Sequence, residues 1–281
     1  MLNKVKQKRS TIVFLTIFLV GFCLTCYPFV ASLFMSHDQS SIVQTYSDDV
    51  ESMDKSQRQD IIAKAQEYNS LLYQTNGAIV GNSSEILSHE NYMNLLNVSD
   101  NDIMATLEIP KINVDLPIYH GTEDEVLSIG VGHLEGSSLP VGGESTRCIL
   151  TGHRGLPSSK LFTRLDEIVE GDLFYIDVLG ETMAYEVNEV EVIDPDEVDK
   201  LEIEPDKDLV TLITCTPYGI NTHRLVVTGE RVPYKEKVKD SIQSNIPSIR
   251  ELLFMVLPFL FLAILISMII RQHRKEKRNE P

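Results

Sequence analysis

The chain has 281 residues with 25 basic and 41 acidic side chains, a formal net charge of −16. With 43% hydrophobic residues it is long and apolar enough to bury a core, which excludes a disordered chain. The acidity argues against a grip on a nucleic-acid backbone, and four scattered cysteines exclude a disulfide scaffold or a zinc ribbon.

The charge is unevenly laid out. Residues 1–10 carry Lys4, Lys6, Lys8 and Arg9 and no acid, and residues 271–281 carry five basic side chains against two acidic ones. Residues 36–250 hold 16 basic and 38 acidic side chains, a net charge of −22. The chain reads as an acidic body between two basic tails.

Residues 11–35 (TIVFLTIFLVGFCLTCYPFVASLFM) contain no charge. They exceed the roughly 20 residues that carry a helix across a bilayer core. Residues 252–270 (LLFMVLPFLFLAILISMII) form a second uncharged run. Both runs abut basic clusters on their outer sides. The positive-inside rule therefore predicts two transmembrane helices, cytoplasmic tails at 1–10 and 271–281, and an extracellular body at the cell membrane. A cleaved signal peptide is the competing reading of the first run, but its apolar stretch is long for that and no small-x-small cleavage site follows. A buried core helix competes for the second, against the abrupt RQHRKEKR stop. Cys23 and Cys26 share a C-x-x-C spacing inside the first run. With no partner ligand near, they read as small apolar residues in lipid rather than a redox or metal pair.

Residues 36–72 form the extracellular approach, helical from residue 40, with Ile61, Ala65, Tyr68 and Leu72 at helical spacing. Residues 73–90 (YQTNGAIVGNSSEILSHE) read as an irregular loop, and 91–96 (NYMNLL) as a short helix. Asn82 and Asn97 fit the glycosylation sequon, whose meaning depends on the source organism. From Ala105 the texture changes. ATLEIPKI, VDLPIYHG, TRCILTGH, DLFYIDVL, MAYEVNEVEVI, LVTLITC and RLVVTGERV are rich in Val, Ile, Thr and Tyr and separated by turn residues. Seven or eight strands at this spacing predict a mostly β domain, a barrel or sandwich, with helical inserts confined to about 123–130 and 160–169. Residues 235–251 read as a linker back to the second apolar run.

Three residues in this domain have the chemistry of a site. Cys215 ends the strand LVTLITC, and alternation places it on one face with Thr211 and Ile213. Arg224 opens the next strand, and His153 ends the strand CILTGH. A thiolate is a competent nucleophile, an imidazole transfers protons, and a guanidinium is a fixed donor to an oxyanion. Each also has a structural reading: a buried small thiol, a strand histidine, a surface charge. Spacing alone leaves the trio open between the two. Cys148 lies within its strand, five residues before His153, and so faces the other side and reads as core.

The strings TLITC (211–215), LEIPKINVDLPIYHGT (107–122), GVGHLEGSSLPVGG (130–143), LTGHRGLPSSKLFTRLD (150–166) and CTPYGINTHRLVVTGER (215–231) together resemble the class C, pilus-assembling sortases. These are membrane-anchored cysteine transpeptidases of Gram-positive bacteria. The resemblance covers 91–234 and implies an eight-stranded sortase β-barrel with short helices there. It implies Cys215 as nucleophile, His153 as general acid/base, Arg224 as transition-state stabiliser and Thr214 as a residue lining the substrate site. His120, His133 and His223 fit family strings without a catalytic role. No cofactor and no metal is implied. The implied partners are secreted surface proteins or pilins bearing LPxTG-like signals, cleaved between Thr and Gly, with a pilin Lys amine as acceptor and no nucleic acid. Class C sortases carry a lid before the barrel, with an Asp-Pro-aromatic anchor. Residues 73–90, the candidate lid loop, lack that triplet, so the expected loop occludes the thiol weakly or not at all. Anchoring to peptidoglycan cross-bridges is the nearest alternative. A hydrolytic cysteine protease and a non-enzymatic membrane protein are more remote ones.

Overall fold

The computed structural model describes residues 2–75, 83–98, 102–157, 159–245 and 249–278. It divides into two units, residues 1–34 with 246–281, and residues 35–245.

In the first unit, the long helix α1 (Leu2–Ser52) supplies the N-terminal apolar stretch and α7 (Ile249–Arg278) the C-terminal one. Phe22 meets Phe259 edge to face at 6.4 Å. Among the described residues one helix is long and apolar enough to cross a membrane, from Thr16 onward in α1. The second expected span is helical, within the 30-residue α7, and its apolar passage among the described residues is Val256–Arg271. One of the two expected spans is therefore met, and the second is not confirmed.

In the second unit, the expected helix over 40–72 is two. The chain breaks at Met53–Asp54, where Gln57 Oε1 accepts the backbone N–H of Asp54 at 3.3 Å. Asp followed three residues later by Gln is a helix-start signal. The end of α1 docks through Tyr46, whose Oη donates to Met104 O (3.1 Å) and accepts from Leu179 N (3.0 Å). Helix α2 (Lys55–Thr75) buries Ile62, Ala65, Tyr68, Asn69 and Leu72. The Asn69 amide pairs with both the N–H (2.7 Å) and the carbonyl (3.1 Å) of Leu139.

The stretch 73–90, expected to be irregular, is largely helical where described. Tyr73–Thr75 completes α2, Ser83–Ile86 forms α3, and α4 spans His89–Asn94. Ser88 Oγ caps α4 by accepting from Asn91 N at 3.2 Å. Residues 76–82 of the candidate lid, with the sequon at Asn82, lie outside the described residues.

Eight strands close into a barrel in the order β1-β2-β3-β4-β7-β8-β6-β5. They are β1 (Ile103–Ile109), β2 (Val114–His120), β3 (Val131–His133), β4 (Thr146–Thr151), β5 (Leu173–Val178), β6 (Glu181–Ile193), β7 (Asp208–Thr216) and β8 (His223–Val232). Two pairs are parallel, β2 with β3 and β4 with β7. The first is reached through α5 (Asp124–Ile129), one of the two expected inserts; the other contains a short 3₁₀ turn at Leu165–Glu167. Alternation fills the interior with Leu107, Ile118, Cys148, Leu150, Ile176, Val210, Leu212, Leu225 and Val227. Helix α6 (Glu236–Ser241) follows the barrel. A smaller cluster, Ile149, Ile193, Ile213 and Val226, lies on the opposite faces of β4, β6, β7 and β8, with Leu134 and Leu201 against it.

Candidate active site

The site grows out of the parallel β4–β7 seam. Thr151 is in register with Ile213, an offset that holds over six successive pairs. It continues past the end of β4, where Gly152 N donates to Ile213 O (3.1 Å) and Thr214 Oγ1 donates to Gly152 O (2.7 Å). One step further brings His153 alongside Cys215. On the other side of β7, the antiparallel β8 pairs Arg224 with Cys215. Three neighbouring strand ends therefore carry imidazole, thiol and guanidinium, with adjacent strands about 4.8 Å apart.

Cys215 and Arg224 continue the outer face: each lies two strand positions from Ile213 or Val226 of the small outer cluster. His153 follows β4, two residues past its end at Thr151. A covering segment holds this face. Buried Arg147 donates to Glu202 O (2.7 Å), Glu204 Oε1 (2.7 Å) and Thr211 Oγ1 (3.0 Å), binding residues 202–204 to β7. His153, Cys215 and Arg224 are each half-buried, so they are held by packing and still reachable.

The loops on either side are pinned. Phe162 N donates to His153 O at 3.1 Å, and the Phe162 ring packs on Gly152, where an added Cβ would lie 2.7 Å from it. Gly155, with φ +87°, lets the chain turn beneath Tyr218, whose ring would lie 2.8 Å from a Cβ there. Arg224 Nη1 donates to His223 O at 3.1 Å and, at the long limit, to Asn221 O at 3.5 Å. His223 in turn lies 3.4 Å from Asp194 through Nε2.

The other residues picked from sequence fall elsewhere. Cys148 is 3% exposed, and burial pushes its thiol well above the usual range, so it is an inert core group. His133 is fully buried. Its Nε2 donates to Ser138 O (2.9 Å), and Tyr92 Oη lies 3.1 Å from its Nδ1. Burial lowers its pKa to about 4. His120 is likewise buried, between the carbonyls of Leu95 and Asp102. Thr214, expected to line the substrate site, is 1% exposed, and its hydroxyl is engaged by Gly152. The contact it makes is a cross-strand tie. Among the described residues no group of three or more His, Cys, Asp or Glu side chains is arranged to hold a metal. Sequence reasoning passed over Arg154, which donates to Thr216 Oγ1 at 3.0 Å and pairs with Asp166. Its only signal was the charge directly after His153, beyond the end of the strand where alternation applies.

Residues 107–232 match the family model for the sortase domain. Among solved structures, the chain is similar to sortase C1 from Streptococcus agalactiae, with 45% identity, a TM-score of 0.65, and coverage of 69% of this chain and 100% of that one. It is similar too to a sortase C from Clostridium perfringens solved with the C-terminal cell wall sorting motif, with 42% identity, a TM-score of 0.60, and coverage of 69% and 100%. A curated relative, sortase D of Bacillus subtilis, is 33% identical over 129 residues, which are 45% of this chain. The chain spans 62% of the length of that relative.

Proposed function

Because this chain belongs to the sortase family, with class C enzymes as its structural neighbours, we propose that it is a membrane-anchored transpeptidase that joins secreted proteins by amide exchange. The substrate is a surface protein or pilin bearing an LPxTG-like signal. The Cys215 thiolate attacks the carbonyl carbon of the Thr–Gly bond, and Arg224 steadies the oxyanion of the tetrahedral adduct. The adduct collapses, the C–N bond breaks, and His153 gives its proton to the departing Gly amine. A thioester to Cys215 remains. An incoming Lys amine of a second pilin attacks this thioester, His153 takes the amine proton, and the thiolate is regenerated as the new amide forms.

The register that sets His153 and Arg224 on either side of Cys215 carries this reading. The test is to incubate the full chain in membranes with an LPxTG peptide and a Lys-bearing acceptor peptide, then read the linkage by mass spectrometry. A branched amide to the Lys side chain supports it. Free acid as the only product, unchanged by added amine, points to a hydrolase and contradicts it.

The same reading places the barrel outside the cell, with both basic tails in the cytoplasm and the 252–270 run as a second anchor. Protease added to intact protoplasts then digests residues 91–234; protection of that region overturns the topology.

A further inference from the structure

The pair formed by His153 and Cys215 is bracketed by two side-chain ties in the same parallel register. On one side, Thr214 Oγ1 donates to Gly152 O at 2.7 Å. On the other, Arg154 Nη1 donates to Thr216 Oγ1 at 3.0 Å. The ladder of backbone hydrogen bonds has ended here, because β4 stops at Thr151 while β7 runs to Thr216. The Arg154 contact thus replaces the missing ladder at the point where the two functional side chains must keep their spacing.

Arg154 is built for this. Its side chain is 5% exposed, and its second terminal nitrogen pairs with Asp166 at the 3₁₀ turn that closes the loop after His153. Its Nε is buried with no hydrogen-bond partner among the described residues. The guanidinium is therefore held by two contacts, one to the strand carrying the thiol and one to the loop after the imidazole. A buried charge with few partners is sensitive to the loss of either. An ammonium lacks the planar fork that reaches both at once. The role differs from that of Arg224, which sits in the ladder itself opposite Cys215.

We propose that Arg154 is a positioning residue for the transpeptidation, fixing the reach between His153 and Cys215 by clamping the chain segments that carry them; this rests on the site reading above. The imidazole assists the thiol only at hydrogen-bond reach, so a slack loop weakens the thiol's reactivity through His153 and not directly.

The test is the rate at which iodoacetamide alkylates Cys215 in the full chain, in detergent at pH 7, read by mass spectrometry on the Cys215 peptide. His153→Ala is expected to lower that rate at least about tenfold, since a partnered thiol loses its activation. Arg154→Gln is expected to lower it about fivefold or more, Thr216→Val to a lesser extent, and Arg154→Lys to recover part of the loss. In a His153→Ala background, Arg154→Gln is expected to change the rate by less than about twofold, because its effect passes through His153. Circular dichroism checks folding of each variant; if Arg154→Gln does not fold, Thr216→Val and Arg154→Lys carry the comparison. The proposal is overturned if His153→Ala slows labelling while the folded Arg154 and Thr216 variants label at the wild-type rate. It is also overturned if the Arg154 effect persists undiminished without His153. If His153→Ala itself changes nothing, the site reading fails, and the clamp with it.

Discussion

Arg224 stands directly across the antiparallel β7–β8 ladder from Cys215, so the guanidinium and the thiol project from facing positions of one sheet surface. Facing positions in such a ladder lie about 5 Å apart, close enough for an arginine to reach an oxyanion formed on a group bonded to the thiol. Its Nη1 is already aligned by the His223 carbonyl at 3.1 Å. Arg224→Lys keeps the charge but loses the planar fork. Its turnover is expected to fall about 10²- to 10³-fold, the worth of one oxyanion donor, with folding intact. Near-normal turnover in that variant means that Arg224 is not the donor.

Cys148 offers the internal control. It lies in the barrel interior at 3% exposure, two strand positions from Leu150 on the same inner face. Cys148→Ala removes a small buried group and is expected to lower stability by about 1 kcal/mol while leaving turnover within about twofold. Thermal unfolding and a peptide assay on the same preparation check both. A large loss of turnover at unchanged stability would assign Cys148 a chemical part.

The buried imidazole of His133 makes stability depend on pH. Its folded pKa is lowered to about 4 by burial. Between that value and the ordinary range near 6.5 the unfolded chain binds the proton and the folded chain does not. Stability is therefore full above the unfolded value and falls as pH drops toward 4, by on the order of 3 kcal/mol from this group. His133→Gln cannot titrate there, so its denaturant midpoint is expected to vary less between pH 7 and 4.5 than that of the wild type. Equal slopes for the two proteins count against this assignment.

The fold was legible in the sequence wherever alternation applied. The seven apolar strings became strands; the eighth is the three-residue β3 within GVGH, too short to show a period. The buried stripe of α2 was found with Ile62 taking the place given to Ile61. The 40–72 stretch looks like one helix because its periodic residues, Ile61 to Leu72, all lie after the break, which only the Asp54 and Gln57 pair announces. The helical turns inside 73–90 were hidden by Gly, Asn and Ser, which favour loops on average but also supply caps, as Ser88 does for α4. In the site, alternation placed Cys215 with Thr211 and Ile213, and family strings singled out His153 and Arg224. The same alternation sets Thr214 on the inner face, opposite Cys215, whereas the family strings set it at the substrate site. Neither signal found Arg154, because its contact with Thr216 depends on a parallel strand pairing between residues 62 apart.

The candidate lid gives a further test. The triplet that anchors a class C lid is absent, and α2 extends through Thr75 while α3 begins at Ser83. Replacing 76–82 with a short Gly-Ser linker is therefore expected to change the alkylation rate of Cys215 by less than about tenfold, a closing free energy below about 1.4 kcal/mol. A much larger acceleration would show that this segment shields the thiol.

The mass of the full chain after brief reaction with an LPxTG peptide tests directly whether Cys215 is the nucleophile. An adduct equal to the peptide acyl portion ending at Thr is expected, mapped to the Cys215 peptide and cleared by hydroxylamine and by added amine. Cys215→Ala is expected to give no such adduct. An adduct on another residue, or rapid cleavage of the peptide by Cys215→Ala, would contradict that role for Cys215.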